Sequence, residues 1–339
     1  MRWLFWTAAA AAVATTVASA DVAADEFYTG KRVTLVVGYG TGGGYSLYAQ
    51  VLVDHLGRHL PGKPTVVPQF MPGGGTVKAT NFLYKAAAQD GSVIGMVSET
   101  LTILQLIDRR QLRADMSKFN WIGRMGNMNA VLFVRSDAPA TALDSMKTTE
   151  VVLADTGRGS PTNIYPTLMN QMVGTKFKIV SGYPGSAEMD LSIERGETQG
   201  RTGAWISLKA QRSDWFSKGF VRPVVEIALS KSGDLPNLPL LKDLGRTPDD
   251  RKALAFMSVG ATIGRAILAP PGVPSDRVSA LRAAFDATMR DPAYLSDARK
   301  RKVEIDALGG AALQKIVADA VDTPKTIVSR IQSVLGISP

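Results

Sequence analysis

The 339-residue sequence contains 39 Lys and Arg against 30 Asp and Glu, giving a net charge of +9, and it contains no cysteine. The lack of cysteine excludes disulfide bonds and anchoring through a lipid-modified cysteine. The length exceeds that of a typical single domain, so two α/β lobes are expected.

The first 20 residues have the pattern of a secretory signal peptide. Arg2 precedes the apolar run 3–17, and Ala18-Ser19-Ala20 supplies the small residues of a cleavage site before Asp21. The run is shorter than the ~20 residues that a membrane span needs. We therefore expect a periplasmic protein from which residues 1–20 are removed. In that compartment the positive charge favours small anions as partners, and no nucleic acid is expected.

A glycine-rich loop follows the first predicted strand. The run at 33–37 (VTLVV) is apolar and β-branched, as in a strand of a parallel sheet. It leads to Gly42, Gly43 and Gly44, and a helical pattern begins at Tyr45. Glycines leave the backbone open to a ligand, and the N-terminus of a helix presents N–H groups to an anion.

A second glycine loop follows the next predicted strand, 65–70. It contains Pro72, Gly73, Gly74 and Gly75 and leads into another helix. Because the carboxyl ends of parallel strands meet at one edge of a sheet, the two loops together predict one anion site.

The rest of the chain alternates between strands and helices. Further strands are predicted at 92–98, 131–134, 151–154, 177–181, 198–202, 224–229 and 266–269, and C-terminal helices at 275–289, 292–300 and 311–334, with a break near Pro324. The pattern predicts an α/β fold of two doubly wound lobes with a cleft between them. Lobe 1 would comprise 21–130 plus 266–339, and lobe 2 would comprise 131–265.

Several polar residues near predicted loops are candidate ligand contacts. Arg201 could bind a carboxylate through two parallel hydrogen bonds, or it could belong to a structural ion pair. Ser46 could contact the ligand or cap its helix. The other candidates are Tyr45 at the start of the first helix, Ser98 at the end of the third strand, Ser160 and Asn163 at a helix start, and Tyr183.

Other functions find less support in the sequence. Residues 38–43 match GxGxxG, but the next strand ends in Gln69-Phe70 without the acidic residue that a dinucleotide site uses. His55 and His59 have the spacing of a zinc pair, yet neither a third ligand nor an HExxH motif accompanies them. No GxSxG motif is present. No catalytic residue, metal or cofactor is therefore expected, although an exported α/β enzyme acting on carboxylates stays open as an alternative.

Six segments in order resemble the receptors of the tripartite tricarboxylate transporters, also called TctC- or Bug-type solute-binding proteins. They are 42–44 (GGG), 72–75 (PGGG), 85–91 (KAAAQDG), 183–186 (YPGS), 268–274 (LAPPGVP) and 289–292 (MRDP). The resemblance implies a periplasmic-binding-protein fold of type II, the Venus flytrap. It also implies a monomer that delivers a small organic anion to the large and small membrane subunits of a transporter, or that serves as the input of a sensor kinase.

In that family the ligand carboxylate sits on both glycine loops, largely through backbone N–H groups and waters. The family's first loop corresponds to residues 42–44 of this sequence, and its second loop corresponds to residues 72–75. The chain departs from the family at Tyr45-Ser46, where Thr-Asp is usual, at Asn163, where histidine is common, and after Tyr183, where a lysine is missing. The resemblance leaves the ligand open among mono-, di- and tricarboxylates and aromatic acids.

Overall fold

The computed structural model describes residues 27–110 and 112–337, and the predicted signal peptide lies outside them. Two mixed sheets are surrounded by helices, which confirms the predicted α/β fold of two lobes. Within the described ranges, none of the helices combines the length and the apolar character that a membrane crossing requires.

The first sheet has six strands in the order β11-β4-β10-β3-β1-β2. Its strands are β1 (Arg32–Val37), β2 (Thr65–Phe70), β3 (Val93–Met96), β4 (Asn120–Arg124), β10 (Ala266–Ala269) and β11 (Leu308–Gly309). Strands β1, β2 and β3 are parallel, so both glycine loops leave the same edge, as predicted. Strand β10 is antiparallel to β3 and β4.

The second sheet has five strands in the order β7-β6-β8-β5-β9. Its strands are β5 (Ala130–Arg135), β6 (Val151–Asp155), β7 (Phe177–Ser181), β8 (Gly200–Ala204) and β9 (Val221–Ile227). Strand β6 is parallel to β7 and β8, whereas β5 is antiparallel to β8 and β9. The second sheet is therefore mixed like the first.

Helices cover both sheets. They are α1 (Gly44–Leu56), α2 (Val77–Lys85), α3 (Leu101–Ile107), α4 (Pro161–Leu168), α5 (Ser186–Glu194), α6 (Trp205–Gln211), α7 (Ser213–Ser217), α8 (Pro248–Met257), α9 (Gly260–Ile263), α10 (Ser275–Arg290), α11 (Pro292–Lys300), α12 (Gly310–Val321) and α13 (Lys325–Leu335). The predicted helix 311–334 is divided into α12 and α13, because Pro324 between them cannot donate an intrahelical hydrogen bond.

Both sheets are buried on two faces, as expected for strands with consecutive apolar residues. In β1, Leu35 and Val36 are fully buried in different apolar clusters on opposite faces of the sheet. In β5, Leu132 and Phe133 likewise lie in different apolar clusters on opposite faces of their sheet. This double coverage makes each sheet a rigid base for the loops at its edge.

The chain passes between the sheets twice, from β4 to β5 and from β9 to β10. The division of the lobes at 131 and 266 stays a prediction. The last helix contacts the second sheet's core, because Ile331 packs there and Arg330 pairs with Asp250 of α8 at 2.6 Å. This helix therefore links the C-terminal segment to the second lobe.

Candidate functional site

The first glycine loop leads directly into the N-terminus of α1. Gly42 has a positive φ of 80°, a conformation that glycine adopts without strain. Gly43 is the N-cap, and no described side chain forms a hydrogen bond at this cap. The first N–H groups of a helix have no acceptor within the helix, so this end can donate to an anion.

A cavity of about 80 Å³ lies beside this helix end, between the two lobes. Four of the predicted contacts line it, namely Gly43, Gly44, Tyr45 and Arg201. The second lobe contributes residues from β8, α4, α5 and α6. The cavity therefore has walls from both lobes, and ligand pockets occur preferentially at such interfaces between domains.

Arg265, which the sequence analysis did not single out, also lines this cavity. It immediately precedes β10, and only 2% of its surface is exposed. Its guanidinium lies 4.4 Å from the ring centre of Tyr45 and 4.6 Å from that of Tyr48. Its Nη2 donates to the Ser207 hydroxyl at 2.6 Å, which connects the start of β10 to α6. An arginine at the start of an otherwise apolar strand was the signal that could have identified it.

Tyr45 connects the cavity to a buried carboxylate. Its hydroxyl donates to Glu99 Oε2 at 2.7 Å, and its ring packs against Tyr39 with ring centres 4.5 Å apart. Burial raises the pKa of Glu99 and raises that of Tyr45 as well. The phenol therefore stays neutral and serves as a hydrogen-bond donor.

Arg201 lines the cavity, but its guanidinium already has a carboxylate partner. Its Nε donates to Asp190 Oδ1 at 2.7 Å, and its Nη1 donates to the Thr202 carbonyl at 3.0 Å. Asp190 also accepts from Arg212 at 2.9 Å. The structure thus contains the ion pair that was one of the two interpretations of Arg201, while its role toward a ligand stays a prediction.

The second glycine loop lies against the second lobe and outside the cavity lining. Gly75 N donates to the Thr156 carbonyl at 3.1 Å, and Thr100 Oγ1 donates to the Gly159 carbonyl at 2.8 Å. A Cβ atom on Gly75 would overlap the backbone of Gly159 and Ser160. Glycine is required here because two backbones approach each other.

Ser160 and Asn163 both bind the buried carboxylate of Asp155. Ser160 Oγ donates to Oδ1 at 2.9 Å, and Asn163 Nδ2 donates to Oδ2 at 2.8 Å. Thr162 and Ser181 donate to the same carboxylate. These donors satisfy a charge that is fully buried. Neither Ser160 nor Asn163 is among the residues that line the cavity.

The remaining predicted contacts also lie outside the lining, which leaves their roles as predictions. Ser46 is the third residue of α1, so it does not occupy the N-cap position. Ser98 bonds to Thr100 at 2.8 Å. The backbone N–H of Tyr183 donates to the Asp155 carbonyl at 3.2 Å. The others are Gly42, Pro72, Gly73, Gly74 and Gly75.

The two histidines pair with carboxylates near α11. His55 Nε2 lies 3.2 Å from Asp297, and His59 Nε2 lies 2.9 Å from Asp291. In the part of the chain that the structure describes, no group of three or more potential ligands could hold a metal ion. These pairs connect α1 and the turn after it to α11 and its N-cap residue.

Comparisons with known proteins agree with this architecture. A curated relative, the "UPF0065 protein in gbd 5'region" of Cupriavidus necator, is 23% identical over 333 residues, covering 96% of this chain and 94% of that protein. The solved periplasmic binding protein BugD is similar at a TM-score of 0.73 and 19% identity, covering 92% of this chain and 99% of BugD. An R. palustris protein solved with adipate has a TM-score of 0.69 and 18% identity, with coverages of 91% and 99%.

The model of the tripartite tricarboxylate transporter family receptor, TctC, matches residues 49–333. This match covers most of the chain, including most strands of both sheets and the two crossings between them. The chain therefore belongs to the TctC family of periplasmic solute-binding receptors.

Proposed function

We propose that this protein captures a small organic anion in the periplasm and delivers it to the membrane subunits of a tripartite tricarboxylate-type transporter. The cavity beside the first glycine loop carries this proposal, because it combines an uncapped helix N-terminus with a buried arginine, Arg265. Both features favour negative charge. The adipate bound to the R. palustris protein supports a carboxylate as the anion.

Contacts between the lobes supply a closed state that a ligand can stabilise. Gly40 N donates to the Pro184 carbonyl at 3.1 Å, and Gly75 N donates to the Thr156 carbonyl at 3.1 Å. A ligand that contacts both walls binds the closed form more tightly than an open form. This difference in affinity shifts the equilibrium toward the closed form. A transporter can then distinguish the loaded receptor by its shape.

Binding without turnover accords with the chemistry of the lining. No His, Asp or Glu is found among the described residues that line the cavity. Its phenols, Tyr39 and Tyr45, have pKa values raised by burial, so they are poor bases. General acid–base catalysis needs a group with a pKa near the working pH.

A thermal-shift screen of organic acids tests the proposal on protein that lacks residues 1–20. We expect at least one carboxylate to raise the melting temperature, because ligand binding stabilises the native state. Turnover of that acid, or the absence of any stabilising carboxylate, would contradict the proposal. Uptake of the labelled acid into vesicles that contain the transporter's large and small subunits tests delivery, and it should require the receptor.

A further inference from the structure

Arg265 is a buried cation, and part of its guanidinium has no hydrogen-bond acceptor. Its Nε and Nη1 are buried, and no described residue accepts a hydrogen bond from either atom. Its Nη2 is bonded to the neutral hydroxyl of Ser207. A buried charge that lacks hydrogen bonds and a counterion is costly, so the site favours an anion that supplies both.

Glu99 is a buried carboxylate in this network, and it is already hydrogen-bonded to a phenol. Tyr45 donates to Glu99 at 2.7 Å, and the ring centre of Tyr45 lies 4.4 Å from the guanidinium of Arg265. Burial raises the pKa of Glu99, which weakens its ability to neutralise Arg265. The requirement for an anion therefore remains.

The second arginine at the cavity does not offer an equal site. Arg201 shares Asp190 with Arg212, and Asp190 is itself buried. Arg201 also donates to the carbonyl of Thr202. Among the described residues that line the cavity, Arg265 is thus the cation without a carboxylate partner, and the lining offers room for one negative charge.

Much of the cavity lining is apolar. Met128, Ala130, Met189 and Leu208 contribute side chains to it, and the polar groups among the other lining residues of the second lobe are mostly neutral hydroxyls. The volume of about 80 Å³ is well below the roughly 300–1,000 Å³ of pockets for drug-sized ligands, so the ligand is small. A second carboxylate would lose its hydration against these apolar side chains without gaining a partner.

We propose that Arg265 pairs directly with the ligand carboxylate and that the ligand is a small monocarboxylate with an apolar remainder. This inference rests on the proposed function and narrows its ligand class. The carboxylate would contact both the guanidinium of Arg265 and the free N–H groups at the N-terminus of α1, which lie side by side because Gly44 approaches the arginine closely. The apolar end would pack against Met128 and Leu208.

The test uses three four-carbon probes of similar size: butyrate, succinate and the neutral butyramide. We expect butyrate to bind in calorimetry and raise the melting temperature, succinate to bind at least about tenfold more weakly, and butyramide not to bind. Tighter binding of succinate would overturn the monocarboxylate inference but leave the receptor function standing. If no acid in the wider screen binds, the receptor function itself fails.

Variants of Arg265 test the direct pair. Arg265→Gln should weaken butyrate binding by about 30-fold or more, whereas Arg265→Lys should retain part of the affinity because it keeps the charge. Arg195→Gln, which changes an exposed arginine, is the matched control and should bind like the wild type.

A second readout separates binding from a structural role. Without ligand, Arg265→Gln should melt close to the wild type, because the lost contacts with the Tyr45 and Tyr48 rings are offset by the removal of a buried charge that has no carboxylate partner. Unchanged butyrate affinity in Arg265→Gln would overturn the pairing. A large fall in the melting temperature of the unliganded variant would likewise overturn it, since Arg265 would then be structural.

Discussion

The two glycine loops have similar sequences but different surroundings. Gly43 and Gly44 of the first loop border the cavity, where an absent side chain leaves the helix N-terminus accessible. Gly75 of the second loop lies outside the cavity lining and contacts the backbone of Gly159 and Ser160. The first loop also touches the second lobe, because a Cβ atom on Gly44 would overlap the Ser207 side chain. A glycine run at a strand end therefore indicates close approach, and the approaching group can be a ligand or another part of the chain. We infer that the first loop takes part in both ligand binding and closure, whereas the second takes part in closure alone.

The largest effect is expected from blocking the first loop with Gly44→Val. A Cβ at Gly44 would lie 2.8 Å from Arg265 Nη2 and would also overlap Ser207 of the second lobe. Such overpacking costs about 1–3 kcal/mol, so ligand affinity in calorimetry should fall by up to about 100-fold.

Gly233→Val is the control for this substitution, because Gly233 is exposed and a Cβ atom at this position would meet no other atom within 4 Å. It should bind as tightly as the wild type. Wild-type affinity in Gly44→Val would show that the first loop does not form the site.

The second loop offers a matched pair, Gly75→Ala and Gly74→Ala. Both glycines have φ near +60°, so both substitutions carry the same backbone strain of about 1–2 kcal/mol. Only the Cβ at Gly75 overlaps the second lobe, whereas the nearest neighbour at Gly74 is 3.5 Å away. Gly75→Ala should therefore bind ligand about tenfold more weakly than Gly74→Ala.

Small-angle scattering should show that Gly75→Ala stays more open than Gly74→Ala at equal ligand saturation. Equal affinities and equal radii for the two variants would mean that the second loop has no part in closure.

Glu99 supports the first loop through Tyr45, and its titration gives a pH dependence of stability. Burial raises its folded-state pKa, so the folded protein binds more protons than the unfolded chain between the two values. Stability is therefore favoured below the unfolded-state value and is lost as the pH rises through the folded-state value. Glu99→Gln does not titrate, so its melting temperature relative to the wild type should increase from about pH 4 to about pH 7. A constant difference across this range would contradict the role of burial.

The smallest effect is expected for Ser46→Asp. Ser46 occupies the first turn of α1 but does not line the cavity, and an acidic residue there stabilises a helix by about 0.3–1 kcal/mol. The melting temperature should rise slightly, and the affinities for butyrate and succinate should each change by less than about threefold. A selective loss of succinate binding would instead place Ser46 in contact with the ligand.

Local patterns in the sequence were sufficient to predict much of the fold. The apolar runs located nine of the eleven described strands, whereas β4 and β11 of the first sheet were missed. Pro292 and Pro324 marked the start of α11 and the division of the last helices. These features depend on neighbours in the chain, namely β-branched residues and the missing N–H of proline. The family resemblance correctly supplied the receptor family.

The site was harder to predict because its contacts join distant segments. Arg265 meets Tyr45 only after the chain has returned from the second lobe. Ser160 and Asn163 follow Asp155 closely in the chain, and both donate hydrogen bonds to its buried carboxylate. An acidic residue that ends a buried strand before Ser, Thr and Asn was a local signal for this cluster. No local signal distinguishes a loop that approaches a ligand from one that approaches a backbone.

A crystal structure with the tightest-binding acid of the thermal-shift screen would show which groups hold the ligand carboxylate. We predict that the carboxylate lies beside the N-terminus of α1, within hydrogen-bonding distance of Arg265, with the contact between Gly75 and Thr156 intact. A carboxylate held instead between the second glycine loop and residues 157–160 would contradict it.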